Sequence, residues 1–340
     1  MKAALYYKNE KTLRIEEVPT PEPGPGEVRV KVAACGICHT DLHYLDHGVP
    51  TFKEPPMILG HEISGIIDAM GTGVSGIETG DHVIIPAVLT CGRCENCRKG
   101  RENICNHMVM IGNNMNGGYA EFIVVPAKDL IPLPKHLPLE NCSIIADALS
   151  TPYHAVVNRG EVKPGQVVSV FGCGGVGINV VQFAVLSGAK VIAVDLSDEK
   201  LDLAKKLGAY ATFNAKEEKL AKAIRKTTGG CDIAFEVIGK PEVMVEAMST
   251  LKAGARFVMV GYSADDVSMP AARIMYREMD IRGSLGCRPV DYHAIVQLVD
   301  IGRVVLDPLI SNRYSIDDIN QGFDDLREEK PVIRNLMVPG

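Results

Sequence analysis

The chain has 340 residues, 46% of them hydrophobic, which is enough material for two cores. Its 42 acidic residues outnumber 36 basic ones for a formal net charge of -6, and no concentrated basic face exists for phosphate neutralisation, so nucleic acid is excluded as a partner. No stretch reaches the roughly 18 uninterrupted apolar residues of a membrane span, and Met1-Lys2-Ala3-Ala4-Leu5-Tyr6 lacks the apolar centre of a signal peptide, so a soluble cytoplasmic protein with no membrane partner is expected.

The first part reads as β-rich with many turns. Residues 28–32 alternate in polarity, 63–67 and 82–85 are apolar and β-branched, and 19–26 form a Pro/Gly break. After Pro164-Gly165 the rhythm changes. The spacing predicts strands over 167–171, 191–195, 211–213, 233–236, 256–260 and 279–284, with helices that include 176–187, 198–207 and 216–227. Continuous apolar strands alternating with helices imply a parallel sheet covered on both faces, and six of them suit a doubly wound dinucleotide fold. The last stretch carries a helix over 291–301 and short strand-like pieces expected to rejoin the first domain. The expected domains are therefore 1–148, 149–286 and a return over 287–340.

Strand 167–171 runs into Gly172-Cys173-Gly174-Gly175-Val176-Gly177 and then a helix, which is G-x-G-x-x-G in its proper setting. Its glycines serve a tight turn, backbone approach to a pyrophosphate and close helix packing, with the phosphates on the helix N-terminus. The next strand ends at Asp195, about 20 residues on, where a carboxylate accepts from both adenosine ribose hydroxyls and repels a 2′-phosphate. Leu196-Ser197-Asp198 brings no arginine to receive such a phosphate, so NAD is the expected cofactor. Lys200 reads equally well as a second ribose contact or a solvated helix lysine. Cys173 reads as a small filler residue.

Cysteine numbers ten, and Cys91, Cys94, Cys97 and Cys105 fall in one short segment. Without a secretion signal such a cluster is more often a metal site than a disulfide framework. Four thiolates fill a tetrahedral zinc and leave no open position, so this site is expected to be structural. A second, dispersed constellation combines Cys35-Gly36-Ile37-Cys38-His39-Thr40-Asp41-Leu42-His43 with Gly60-His61-Glu62-x-x-Gly65-x5-Gly71-x-x-Val74.

That last string resembles, position for position, the signature of the zinc-containing medium-chain alcohol dehydrogenases. The four-cysteine segment, Gly117-Gly118-Tyr119-Ala120-Glu121 and the central G-x-G-x-x-G match in the same order, so the resemblance covers nearly the whole chain. It implies an α/β protein with a GroES-like β-rich catalytic domain and a doubly wound, parallel-sheet Rossmann domain, carrying two zinc ions per chain. It implies Cys38 and His61 as ligands of the catalytic zinc, Glu62 as the acid close to it, and Cys35 as a non-ligand. In many relatives the third ligand is a cysteine four residues before a threonine and six before a tyrosine. Counting back from Thr151 and Tyr153 reaches Asp147, which resembles the aspartate branch known among secondary-alcohol enzymes; Cys142 is the rival. Zinc accepts sulfur, nitrogen and oxygen, and a catalytic site needs three protein ligands.

The resemblance further implies a proton relay from Thr40 to His43, with Asp41 orienting the histidine ligand, and cofactor contacts from His39, Thr151, Gly175, Val176 and Arg288. The activity it implies is oxidation of a secondary or cyclic alcohol to a ketone with hydride transfer to NAD, and the reverse reduction. A dehydrogenase of alicyclic hydroxyacyl-CoA thioesters is the alternative, carried by 114–118 and 146–151. Tyr44, Asn113 and Leu285 are candidate pocket residues. The short link over 106–116 and a strand over 279–284 at a sheet edge suggest a homotetramer.

Overall fold

The computed structural model describes residues 1–328 and 330–340. The chain divides into two compact units, Met1–Ser150 with Gly286–Gly340, and Thr151–Leu285.

The first unit is organised around one long strand, Glu27–Ile37. Val28, Val30 and Val32 alternate inward, whereas Ala34 to Ile37 are buried without alternation. Alternation marks a half-solvated sheet and its loss marks a strand covered on both faces. Only 28–32 therefore reads as a strand from polarity. One edge of this strand pairs antiparallel with Glu62–Met70. The other edge is shared, by Phe122–Pro126 along its first half and Arg334–Val338 along its last three residues. Ile310–Ser315 extends the sheet parallel to Arg334–Val338, so the end of the chain builds the first unit. Leu59, Ile63, Tyr119 and Phe323 are among the fully buried core side chains. The cysteine segment lies between the paired strands Val88–Leu89 and Val109–Met110.

The second unit holds a six-stranded sheet in the order Ala211–Asn214, Lys190–Asp195, Val167–Phe171, Cys231–Glu236, Leu251–Met259 and Asp280–Gly283, all parallel. The order reverses direction at Val167–Phe171, the switch point outside which such sheets bind ligands. Every residue of that strand is buried. The helix expected over 216–227 begins only at Leu220. Lys216-Glu217-Glu218-Lys219 favours a helix by composition but has nothing apolar to bury, and Lys219 is left-handed at φ 60°. Leu220 and Ile224 are the buried residues that anchor the helix. Tertiary packing thus overrides local propensity.

Candidate active site and metal centres

Cys38 follows the long strand and is the N-cap of helix His39–Leu45. The Asp41 side chain turns back to accept from the Cys38 backbone N–H at 3.4 Å, in a capping box. This fixes Cys38, Thr40 and Asp41 relative to one another. Cys38 Sγ donates to Thr40 Oγ1 at 3.6 Å. His61 enters from Gly60, which takes φ 93° and presses against Cys35 and Tyr119, where a Cβ would lie 2.8 Å from both. Asp147 comes from a third element, just after the 3-10 helix Asn141–Ala146. The carbonyl of Ala146 is held by Tyr292 Oη at 2.7 Å and Ser150 Oγ at 2.9 Å.

These elements bring Cys38, His61, Glu62 and Asp147 together, with one potential ligand atom from each and all within 4.8 Å of one another. His61 Nε2 is 3.6 Å from Asp147 Oδ2, and its Nδ1 is 3.7 Å from Asp41 Oδ1. Burial opposes a charged His61, but Asp41, Asp147 and Cys38 outweigh it and hold its pKa well above the ordinary histidine range. The acceptor groups gathered around the ring would suit a metal cation as well. Among the described residues, both His61 ring nitrogens, Asp41 Oδ1 and Glu62 Oε2 are buried without hydrogen-bond partners, a state that costs about 1–3 kcal/mol per group when nothing compensates it. The sulfur, nitrogen and oxygen donors fit zinc, with three from the protein and the acid beside them. Cys142 lies outside this cluster; it is fully buried, and burial pushes its thiol up to about 12.

Glu62 is held by its surroundings. Its Oε1 accepts from the Ala148 N–H at 3.0 Å, and Oε2 lies 3.5 Å from Arg334 Nε. Burial raises its pKa to about 7 against the pull of Arg334. Tyr119 Oη donates to Asp41 Oδ2 at 2.7 Å. Arg334 and Tyr292 carry no signal in the sequence, whereas Tyr119 lies in the quoted Gly-Gly-Tyr-Ala-Glu string. The acid of that string, Glu121, accepts from the Lys2 N–H at 2.6 Å and serves the N-terminal strand.

Cys91, Cys94, Cys97 and Cys105 form the second cluster. Their sulfurs are 3.4 to 3.9 Å apart in the pairs 91–97, 94–97, 94–105 and 91–105. Four thiolates about 2.3 Å from a tetrahedral zinc stand about 3.8 Å from one another, so the arrangement fits the ion. Backbone N–H groups of Cys97 and Asn106 lower the Cys94 thiol to about 6, which favours the thiolate a metal needs.

In the second unit, Gly172 takes φ 96° at the end of its strand, and a Cβ on Gly177 would lie 1.7 Å from the Gly172 carbonyl oxygen. Around Gly174 the space is open, as backbone approach to a pyrophosphate requires. Gly175 and Val176 complete the loop, and Val176 is the N-cap of helix Gly177–Leu186. Asp195 Oδ2 accepts from the Cys173 N–H at 2.7 Å and Oδ1 from the Ser197 N–H at 3.0 Å, so its carboxylate is fixed beside the loop. Cys173 is fully buried, and burial followed by Asp195 raises its thiol, which fits a small filler residue. Lys200 stands in the first turn of helix Asp198–Lys206, capped by Ser197. Thr151 opens this unit. His39 is exposed in the first unit, and Arg288 makes a bidentate pair with Asp291 at 2.9 and 2.7 Å. Tyr44 and Asn113 form a buried pair, with Asn113 Nδ2 donating to Tyr44 Oη at 2.8 Å, whereas Leu285 is exposed.

Comparison with known proteins agrees with this build. Residues 24–135 match the family described as alcohol dehydrogenase GroES-like domain, and residues 175–300 match zinc-binding dehydrogenase. An alcohol dehydrogenase of Geobacillus stearothermophilus is 36% identical over 340 residues, covering 99% of this chain and 98% of its own. D-xylulose reductase A of Aspergillus niger is 34% identical over 331 residues, covering 94% of this chain and 92% of its own. A solved NAD-dependent alcohol dehydrogenase has a TM-score of 0.93 at 31% identity, covering 100% of both chains. Fold and donor sets together define a zinc- and NAD-using oxidoreductase with a GroES-like and a Rossmann domain. The chain belongs to the zinc-containing medium-chain alcohol dehydrogenase family, and its reaction is NAD-dependent alcohol oxidation. Among the described residues no helix is long and apolar enough to cross a membrane.

Proposed function

We propose that the chain oxidises a secondary or cyclic alcohol to its ketone, and reduces the ketone in reverse, with zinc held by Cys38, His61 and Asp147. The observation that carries this reading is the donor set: one thiolate, one imidazole and one carboxylate converging in a buried anionic cluster. An oxygen ligand in place of a second sulfur alters the softness of the donor set at the ion. The Aspergillus niger relative, named for reducing the ketose D-xylulose, supports a ketone as the oxidised partner.

When bound, zinc supplies Lewis acidity toward the substrate oxygen and NAD supplies the hydride acceptor. Thr40, beside Cys38, receives the substrate's proton on its hydroxyl and passes it toward His43, because a hydroxyl both donates and accepts. Asp41 orients His61, and Tyr119 and the Cys38 N–H hold Asp41 in turn. Glu62, clamped by the Ala148 N–H and Arg334, stands as a reserve acid beside the ligands. Cys91, Cys94, Cys97 and Cys105 hold a structural zinc. In the second unit Gly172, Gly174, Gly175, Val176 and Gly177 take the pyrophosphate and Asp195 the adenosine ribose, with Lys200 beside it, and Thr151 contributes a hydroxyl to the cofactor; His39 and Arg288 are assigned to the cofactor by the family resemblance. Tyr44 is buried and the chain has no tryptophan, so no indole narrows the room around the carbinol carbon.

The test is kcat/KM for ethanol, 2-butanol and cyclohexanol with zinc quantified. Higher values for the secondary and cyclic alcohols are expected. A clear preference for ethanol overturns the substrate assignment, as does weak turnover of all three beside rapid turnover of an alicyclic hydroxyacyl-CoA.

A further inference from the structure

Helix His39–Leu45 carries His43, and His47 follows just beyond its end. The two imidazoles face each other with Nδ1 atoms 3.1 Å apart and ring centroids 5.3 Å apart. At that separation one nitrogen holds a hydrogen and the other a lone pair, since two N–H groups cannot share the gap. The pair is a one-proton link. Its ends differ, because His43 is half-buried and His47 is exposed. Thr40 lies three residues before His43, on the same helical face.

We propose that His47 is the exit of the proton path, taking the proton from His43 and delivering it to water. This rests on the relay reading of Thr40 and His43 above. A proton arriving at His43 Nε2 makes that ring an imidazolium. The hydrogen on its Nδ1 then crosses to His47 Nδ1, and His47 releases the hydrogen on its own Nε2 to solvent. One proton enters, one leaves, and no redox change occurs. Both rings have then switched tautomer, and exchange with water returns the hydrogen of His43 to Nδ1 and that of His47 to Nε2, which resets the pair with no net gain or loss of protons.

Charge favours the outward direction. Burial, and after it His47, hold His43 below the usual histidine range, while Asp41 acts in the opposite sense. Asp46, between the two histidines in sequence, is engaged by Arg327 Nε at 2.8 Å. A neutral His43 is the form that accepts the substrate's proton, so alcohol oxidation is lost as pH falls through the His43 pKa. Removing His47 removes its repulsion and raises that pKa.

The experiment compares His47→Gln and His43→Gln holoenzymes in pH profiles of alcohol oxidation, with and without added imidazole. Zinc content and NAD affinity serve as controls for folding, and the exposed site of His47 favours an intact fold. For His47→Gln the expected result is a kcat loss on the order of 10-fold, below the 10²–10⁴ of a group acting directly. Its acid limb should move upward by up to about one pH unit, and imidazole should restore the rate. A His47→Gln enzyme with an unshifted limb and no response to imidazole overturns the proposal, whatever its rate. If His43→Gln impairs oxidation while His47→Gln does not, the exit role fails and the relay stands. If neither variant changes rate or profile, the relay itself falls.

Discussion

Asp147 is the residue on which the chemical assignment turns. It is only partly buried, reaches His61 at 3.6 Å, and follows a carbonyl pinned by Tyr292 and Ser150, so its position is set by neighbours that survive its replacement. Asp147→Ala should retain one of two zinc ions and near-normal NAD affinity while turnover falls by about 10³-fold or more, checked by metal analysis, NAD titration and kinetics. A fully active variant returns attention to Cys142. Asp195 carries cofactor choice by the same logic. Asp195→Gly combined with Ser197→Arg removes repulsion and supplies a phosphate partner, and should reverse the NAD preference in kcat/KM. Because the Asp195 carboxylate also binds the Cys173 and Ser197 N–H groups, some loss of affinity for both cofactors should accompany the reversal. A wild-type enzyme that prefers NADP contradicts the assignment.

Within elements, the cysteine segment is expected to depend on a bound zinc. Among residues 90–108 only Cys97, Asn103 and Cys105 are buried, so there is no apolar core to hold the lobe. Cys105→Ser should lose one zinc per chain, lower the melting temperature by roughly 10 °C, and open the lobe to proteases; retention of both ions would count against a four-thiolate site. The dinucleotide loop is equally constrained. Gly177→Ala places a Cβ 1.7 Å from a carbonyl oxygen and should abolish NAD binding, read by NADH fluorescence titration. Both elements were legible because their chemistry is local in sequence: ligand spacing and glycine spacing are fixed by a turn of chain. Arg334 and Tyr292 were not legible, since each meets its partner from the far end of the chain and has no flanking pattern. The helix expected over 216–227 is present but starts only at Leu220, for the opposite reason: its charged start is favourable locally but has nothing to pack.

For the whole molecule, two units of different architecture divide the work. The β-rich unit assembles both groups of candidate metal ligands, using the strand Arg334–Val338 to complete the sheet that carries Glu62 and leads into Cys38. The parallel sheet carries the glycine loop at its switch point and ends in the short strand Asp280–Gly283. Among the described residues no further strand pairs with that edge, and Met275, Tyr276 and Leu285 are exposed in the same part of the chain. Pairing of two such edges would make the sheet continuous between subunits, and we expect a homotetramer by light scattering; a stable monomer at micromolar concentration contradicts this. The most direct test of the account is NADH formation from 2-butanol by protein stripped of metal with a chelator and then titrated with zinc. The account expects no turnover without metal, recovery as zinc refills the Cys38–His61–Asp147 site, and little activity when NADP replaces NAD. Full activity in the zinc-free protein, or none at two zinc ions per chain, would contradict it.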